Sequence, residues 1–190
     1  MNWSNLFEQQ HSQPGATDEQ LRAFKESVLL PLTVEEIAEI NSRQRNPFPR
    51  TDPLHPAYRP FDPAIWVLPA GDLPETYLSL LRWANGGQFG NGERWFQFFP
   101  TIDPGQGVRA MLLAYQFPQY MPGVMPFALD GCGNFYLFDM RTKPVLGEYP
   151  ILTAHAGSMS WSEGSWLRIA DTFVEVCEGK VSLEVLRYGE

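Results

Sequence analysis

Residues 72–99 read DLPETYLSLLRWANGGQFGNGERWFQFF, and the change of period inside them decides the fold class. Asp72 ahead of Leu73, Pro74 and Glu75 combines an N-cap, an early proline and a capping-box glutamate. Tyr77, Leu80, Leu81 and Ala84 then recur at helical spacing on one face. Asn85, Gly86 and Gly87 tolerate the positive φ at which helices end, so the helix stops there. Asn91 and Gly92 are a two-residue turn signal, and Glu93 to Phe99 is aromatic-rich, as strands are. Alternation sets Trp95, Gln97 and Phe99 on one face of that strand and Arg94, Phe96 and Phe98 on the other, so both faces carry rings. Either the sheet is covered twice, or one face awaits a partner.

Upstream, Thr17 with Gln20 caps a helix whose inward stripe is Leu21, Phe24, Val28 and Leu29 and which Pro31 ends. Thr33 with Glu36 caps a second, with Ile37 and Ile40 inward, fading near Ser42. Seven prolines between Pro47 and Pro69 exclude a helix interior or a central strand, so residues 43–71 form an extended connector. Residues 1–16 are polar, with only Trp3, Leu6 and Phe7 to bury, and read as a frayed tail or a short docking segment. Downstream, Val108, Met111, Leu112 and Tyr115 return to helical spacing, closed by Pro118 and Pro122. Val124 to Leu129 and Phe135 to Met140 flank Asp130-Gly131-Cys132-Gly133-Asn134 as a hairpin with a glycine-rich loop. Val145 to Tyr149 reads as a further strand. Trp166, Ile169, Phe173 and Val176 read as a last helix stopped by Gly179, and Val181, Leu183 and Val185 as a closing strand. Helices first, then a run of strands with no βαβ alternation, predict a single α+β domain over residues 17–190 with a largely antiparallel sheet packed against several helices.

With 14 Lys and Arg against 22 Asp and Glu, the 190-residue chain carries a formal charge of −8. Such a surface repels nucleic-acid backbones and anionic lipid. No apolar run approaches the length of a membrane span, and no basic and apolar leader opens the sequence, so a cytoplasmic protein is expected. Cys132 and Cys177 are too few for a disulfide framework and read as reduced thiols. His11, His55 and His155 are far apart and no C-x-x-C occurs, so neither a metal site nor a cofactor is expected. Ser158 and Ser160 lie near His155 and could serve nucleophilic catalysis, although a Ser- and His-rich loop accounts for them equally well. Asp130 and Asp139 could form an acid–base pair, but turn capping explains them more simply. What stands out is the aromatic content, 6 Trp, 7 Tyr and 13 Phe. Trp95, Phe96, Phe98 and Tyr120, with Asp103, Asp130 and Asp139, are the candidate partner-binding residues, since rings anchor protein interfaces and carboxylates steer a cationic partner.

Leu73-Pro74, Tyr77, Leu80-Leu81 and Asn85-Gly86-Gly87 resemble the leading signature of the SUKH superfamily, the group of Smi/Knr-like proteins and many bacterial immunity proteins. Met125-Pro126-Phe127-Ala128, Asp130-Gly131, Gly133-Asn134 and Tyr136-Leu137 with Asp139 are similar to its central hairpin, and Ala170, Phe173 and Val174-Glu175 to its closing helix. The resemblance runs from Leu73 to Glu178; Cys132 and Asn134 stand where the family more often has glycine and aspartate. It implies a SUKH-like α+β fold, structural roles for Leu73, Pro74, Asn85, Gly86, Gly87, Gly131, Gly133 and Phe173, and no catalysis. It also implies a cytosolic, non-enzymatic immunity-type protein that binds and neutralises a cognate toxin, often a nuclease. The alternative is a regulatory or scaffolding interaction domain without a toxin, docking through the proline-rich connector. The oligomeric state is left open.

Overall fold

A computed structural model describes residues 2–189 of the chain. Helix α3 (Glu75–Trp83) forms where the apolar spacing places it and buries Tyr77, Leu78, Leu80 and Leu81. Pro74, not Asp72, occupies its N-cap position, and no side chain caps it. Its first turn is tied instead from a distance: Glu148 accepts the Thr76 hydroxyl at 2.5 Å and the Phe173 N–H at 3.0 Å. One carboxylate thus serves the N-termini of two helices, where the macrodipole favours negative charge.

Among the described residues, seven strands form one antiparallel meander in chain order. They are β1 (Gln9–Ser12), β2 (Gly87–Asn91), β3 (Arg94–Phe98), β4 (Val124–Leu129), β5 (Asn134–Asp139), β6 (Ile151–His155) and β7 (Trp166–Ala170). The polar segment at the start of the chain is therefore no loose tail. It supplies an edge strand, sinks Trp3 and Phe7 into the core, and donates from Trp3 Nε1 to Ser79 Oγ at 3.1 Å.

One face of the sheet is an aromatic layer. Phe173, in helix α6 (Phe173–Glu178), is fully buried. The rings of Tyr77, Phe127, Trp3, Phe138 and Phe98 lie 5.3–6.1 Å from its own. Phe96 and Phe98 belong to this layer, at 0% and 3% exposure, so they are core residues and cannot meet a partner of the folded protein. On the opposite face, α4 (Val108–Ala114) and the short α5 (Phe117–Tyr120) cover the middle of the sheet, where Phe135 contacts Phe99, Tyr115 and Phe117. Coverage of this face differs along the sheet. The face is covered at β4 and β5, and it is open at β2 and β3, where Gln88 is exposed and Trp95 and Gln97 are half-buried.

Helices α1 (Asp18–Ser27) and α2 (Val34–Arg43) start with both capping boxes the sequence predicts. α1 buries Leu21 and Phe24, but α2 buries nothing fully, and Ile37 and Ile40 are only half-covered. The proline-rich connector is extended apart from turns over residues 49–55 and two single 3-10 turns.

Four further expectations are corrected. The β2–β3 turn is Gly92-Glu93, because Asn91 pairs with Arg94 and spends its side chain on the carbonyls of Cys177 and Glu178 at the end of α6. Residues Val145 and Glu148 form only an isolated bridge; the strand lies beyond Pro150 as β6. Trp166 to Ala170 is β7, not helix: Thr172 caps a new helix at Phe173 by accepting the Glu175 N–H, which breaks the spacing that joins Trp166 to Val176. Residues 183–188 form α7 (Leu183–Tyr188), not a strand, because Ser182 caps it through the Val185 N–H and only Leu183 is buried.

Candidate functional site

The turn after α3 builds the most distinctive surface of the molecule. Gly86 has φ +91° and lies so close to the next strand that a Cβ would sit 3.1 Å from the Phe98 carbonyl oxygen and from Pro100 N. Beside it, Asn85 Oδ1 accepts the Thr101 N–H at 2.8 Å. The Asn-Gly-Gly motif therefore sets where the chain leaves β3 and enters the loop 100–107. Asp103 closes that loop: its Oδ1 accepts the N–H groups of Gly105 and Gln106 at 2.8 and 2.7 Å, and its carbonyl accepts that of Gly107 at 3.0 Å. Ile102 is left 62% exposed at the crest.

Two hollows flank this ridge, and Ile102 and Asp103 line both. The larger, about 850 Å³, lies over the open face of β2 and β3, with Gln88, Gln97 and Leu129 below and Gln106 and Met111 opposite. The smaller, about 420 Å³, lies between the end of α1, α2 and α4. Its apolar surface includes Val28, Ile40, Ala110 and Leu113, and Glu36, Glu39, Arg43 and Arg109 stand around it.

Arg109 holds the second hollow open. Its Nε and Nη2 form a bidentate pair with Glu36 Oε1 and Oε2 at 2.7 and 2.8 Å. Nη1 donates to the carbonyls of Ser27, Val28 and Leu30, and Nη2 also to that of Pro31. One guanidinium thus gathers carbonyls at and just beyond the C-terminus of α1 and fastens α2 to α4. Hydrogen bonding from Arg109 holds the Glu36 carboxyl below its ordinary pKa, against the opposing effect of its partial burial.

The sequence candidates are scattered by the fold. Trp95 remains half-exposed on the open sheet face, next to Gly131 and two residues from Gln97. Asp103 is exposed on the ridge. Tyr120 is 47% exposed at the end of α5, beside Gln119, which accepts the Trp66 indole N–H at 3.0 Å. Asp130 spends its carboxylate on its own hairpin loop, accepting the N–H groups of Cys132 and Asn134 and the Asn134 amide. Asp139 is 8% exposed and bidentate with Arg141, so with Phe96 and Phe98 it leaves the set of possible contacts. Leu73, Pro74, Gly86 and Phe173 are buried, and Gly131 and Gly133 turn the hairpin loop at positive φ. His155 Nδ1 accepts the Gly157 N–H, while Ser160 is hydrogen-bonded to Ser165; the two are not bonded to each other. Arg109, Ile102 and Gln97 were not singled out from sequence. A lone arginine in the otherwise apolar VRAMLLA segment was the signal for the first, and a lone isoleucine in a turn-rich loop for the second.

Residues 71–179 match the SMI1 / KNR4 family (SUKH-1) over more than half of the chain. The chain belongs to this family. The SUKH-1 match runs from α3 through α6 and leaves β1, α1, α2, the proline-rich connector and α7 outside it. One wall of the smaller hollow, α4, thus comes from the SUKH-1 segment, and the other, α2, does not. No curated protein matches the chain in sequence. SUKH domains are generally non-enzymatic protein-interaction modules of the immunity type. Among the described residues no helix is long and apolar enough to cross a membrane.

Proposed function

We propose that this SUKH-1 protein neutralises a cognate protein toxin in the cytosol by binding it one to one, without chemistry of its own, and that the toxin is positively charged, as nucleases are. The observation that carries the reading is the exposed ridge of Ile102 and Asp103 between two hollows, on a chain of net charge −8. Concavities beside an exposed apolar side chain suit an interface core, and the acidic surface raises the encounter rate with a cationic partner.

Co-expression with the toxin encoded beside it should abolish toxicity, and the purified pair should elute as a one-to-one complex; absence of protection ends the proposal. Raising ionic strength should slow association far more than it speeds dissociation. The proline-rich connector supports a second reading, a scaffold without a toxin, because it leaves Leu54, Ile65 and Val67 more than half exposed. Deleting those three side chains would abolish partner capture under that reading and leave toxin protection intact under the first.

A further inference from the structure

The smaller hollow selects its ligand more narrowly than net charge does. Three carboxylates, Glu36, Glu39 and Asp103, and two guanidiniums, Arg43 and Arg109, line it. Both arginines are already paired, Arg109 with Glu36 and Arg43 with Glu39. Asp103 accepts only backbone N–H groups of its own loop, and among the described residues no cation lies within ion-pair distance of it. One carboxylate without a cationic partner therefore stands beside an exposed isoleucine, on the rim of a hollow lined by both apolar and charged side chains.

We propose that this hollow seats a short segment of the partner that carries a large apolar side chain next to a lysine or arginine. The apolar side chain lies against Val28, Ile40 and Leu113, and the cation pairs with Asp103. A volume of about 420 Å³ falls in the lower part of the range of small-ligand pockets, enough for a short segment and too little for a whole folded surface. An acidic segment would meet Asp103 as a like charge, and a wholly polar one would leave the apolar floor wet. α2 supplies partner choice, because it lies outside the SUKH-1 segment and is held to α4 by one ion pair. The proposal rests on the reading of the protein as a binder, but its test needs no toxin.

The full chain, labelled with ¹⁵N, is titrated with a twelve-residue peptide of alternating leucine and lysine, and with leucine–glutamate and serine–lysine counterparts. The leucine–lysine peptide should shift the amides of residues 101–114 and 36–43. Ile102→Ser should weaken it about tenfold, as expected for losing burial of a large apolar side chain. Asp103→Asn should weaken it roughly two- to fivefold, the worth of an exposed ion pair. Leu146→Ser, on a fully exposed loop position, should change nothing. All three sites are exposed, and an unchanged melting temperature verifies folding. Shifts confined to other surfaces, equal binding of the serine–lysine peptide, or indifference to both ridge substitutions overturns the proposal. Failure here with toxin protection intact removes this seat and leaves the binding function standing; failure of protection with the peptide still seated does the reverse.

Discussion

Arg109→Ala should release α2 without unfolding the protein. The lost contacts are the bidentate pair with Glu36 and the bonds to the carbonyls of Ser27, Val28, Leu30 and Pro31. With the pair's side chains 20% and 24% exposed, its loss lies between that of a surface ion pair, below about 1 kcal/mol, and that of a broken buried one, about 3–5 kcal/mol. A value of about 2–3 kcal/mol corresponds to a roughly 30- to 150-fold gain in the open population of α2. Because α2 buries no residue fully, that energy is spent on local opening, not on the aromatic core. Native-state hydrogen exchange should show the amides near Ile37 and Ile40 losing protection by that factor and at lower opening energy than the sheet amides, with the melting temperature falling by about 4–12 °C. Arg109→Lys, which cannot form the bidentate pair, should lie between. Adding Glu36→Gln to Arg109→Ala should recover part of the loss, because a stranded carboxylate is removed. If Arg109→Ala leaves the α2 amides as protected as before, or if they lose protection only together with the whole chain, the clasp assigned to Arg109 is wrong.

Phe173→Ala should cost about 3–5 kcal/mol, since five rings surround a fully buried side chain, and chemical denaturation that finds less than about 1.5 kcal/mol would remove Phe173 from the centre of the core. On acidification, the contribution of the Arg109–Glu36 pair is complete above the ordinary glutamate pKa of about 4.3 and is lost as pH falls through the depressed folded value. Exchange at α2 should therefore rise only below about pH 4, and opening between pH 5 and 7 would contradict it. Gly86→Ala should destabilise by more than about 1 kcal/mol, because its φ is +91° and its Cβ would crowd the Phe98 carbonyl; a neutral effect would show that the ridge does not depend on this turn. A thiol reagent should label Cys132 in the native protein and Cys177 only on unfolding, because burial raises the Cys177 thiol well above its ordinary pKa. Rapid labelling of native Cys132→Ser would contradict that burial.

Much of this protein is written in short-range signals. The capping boxes at Thr17 and Thr33, the helix ending at Asn85-Gly86-Gly87 and the hairpin around Asp130 each depend on residues within a turn of one another, so the sequence alone places them. The ordered combination of these signals was also enough to point to the SUKH family. Where two local readings compete, spacing fails: Trp166 to Val176 keeps helical period across the cap at Thr172, and the alternation of Val181, Leu183 and Val185 runs across the cap at Ser182 into a helix. Strand alternation separates the two faces of β3 but does not say which is buried, and Phe96 and Phe98 fall to the core because α3 and α6 pack on their side. The ridge and its hollows are wholly tertiary. Val28, Ile40, Ile102 and Arg109 come from four separate segments, and which side chains stay exposed depends on what each segment packs against, a quantity that no local window contains.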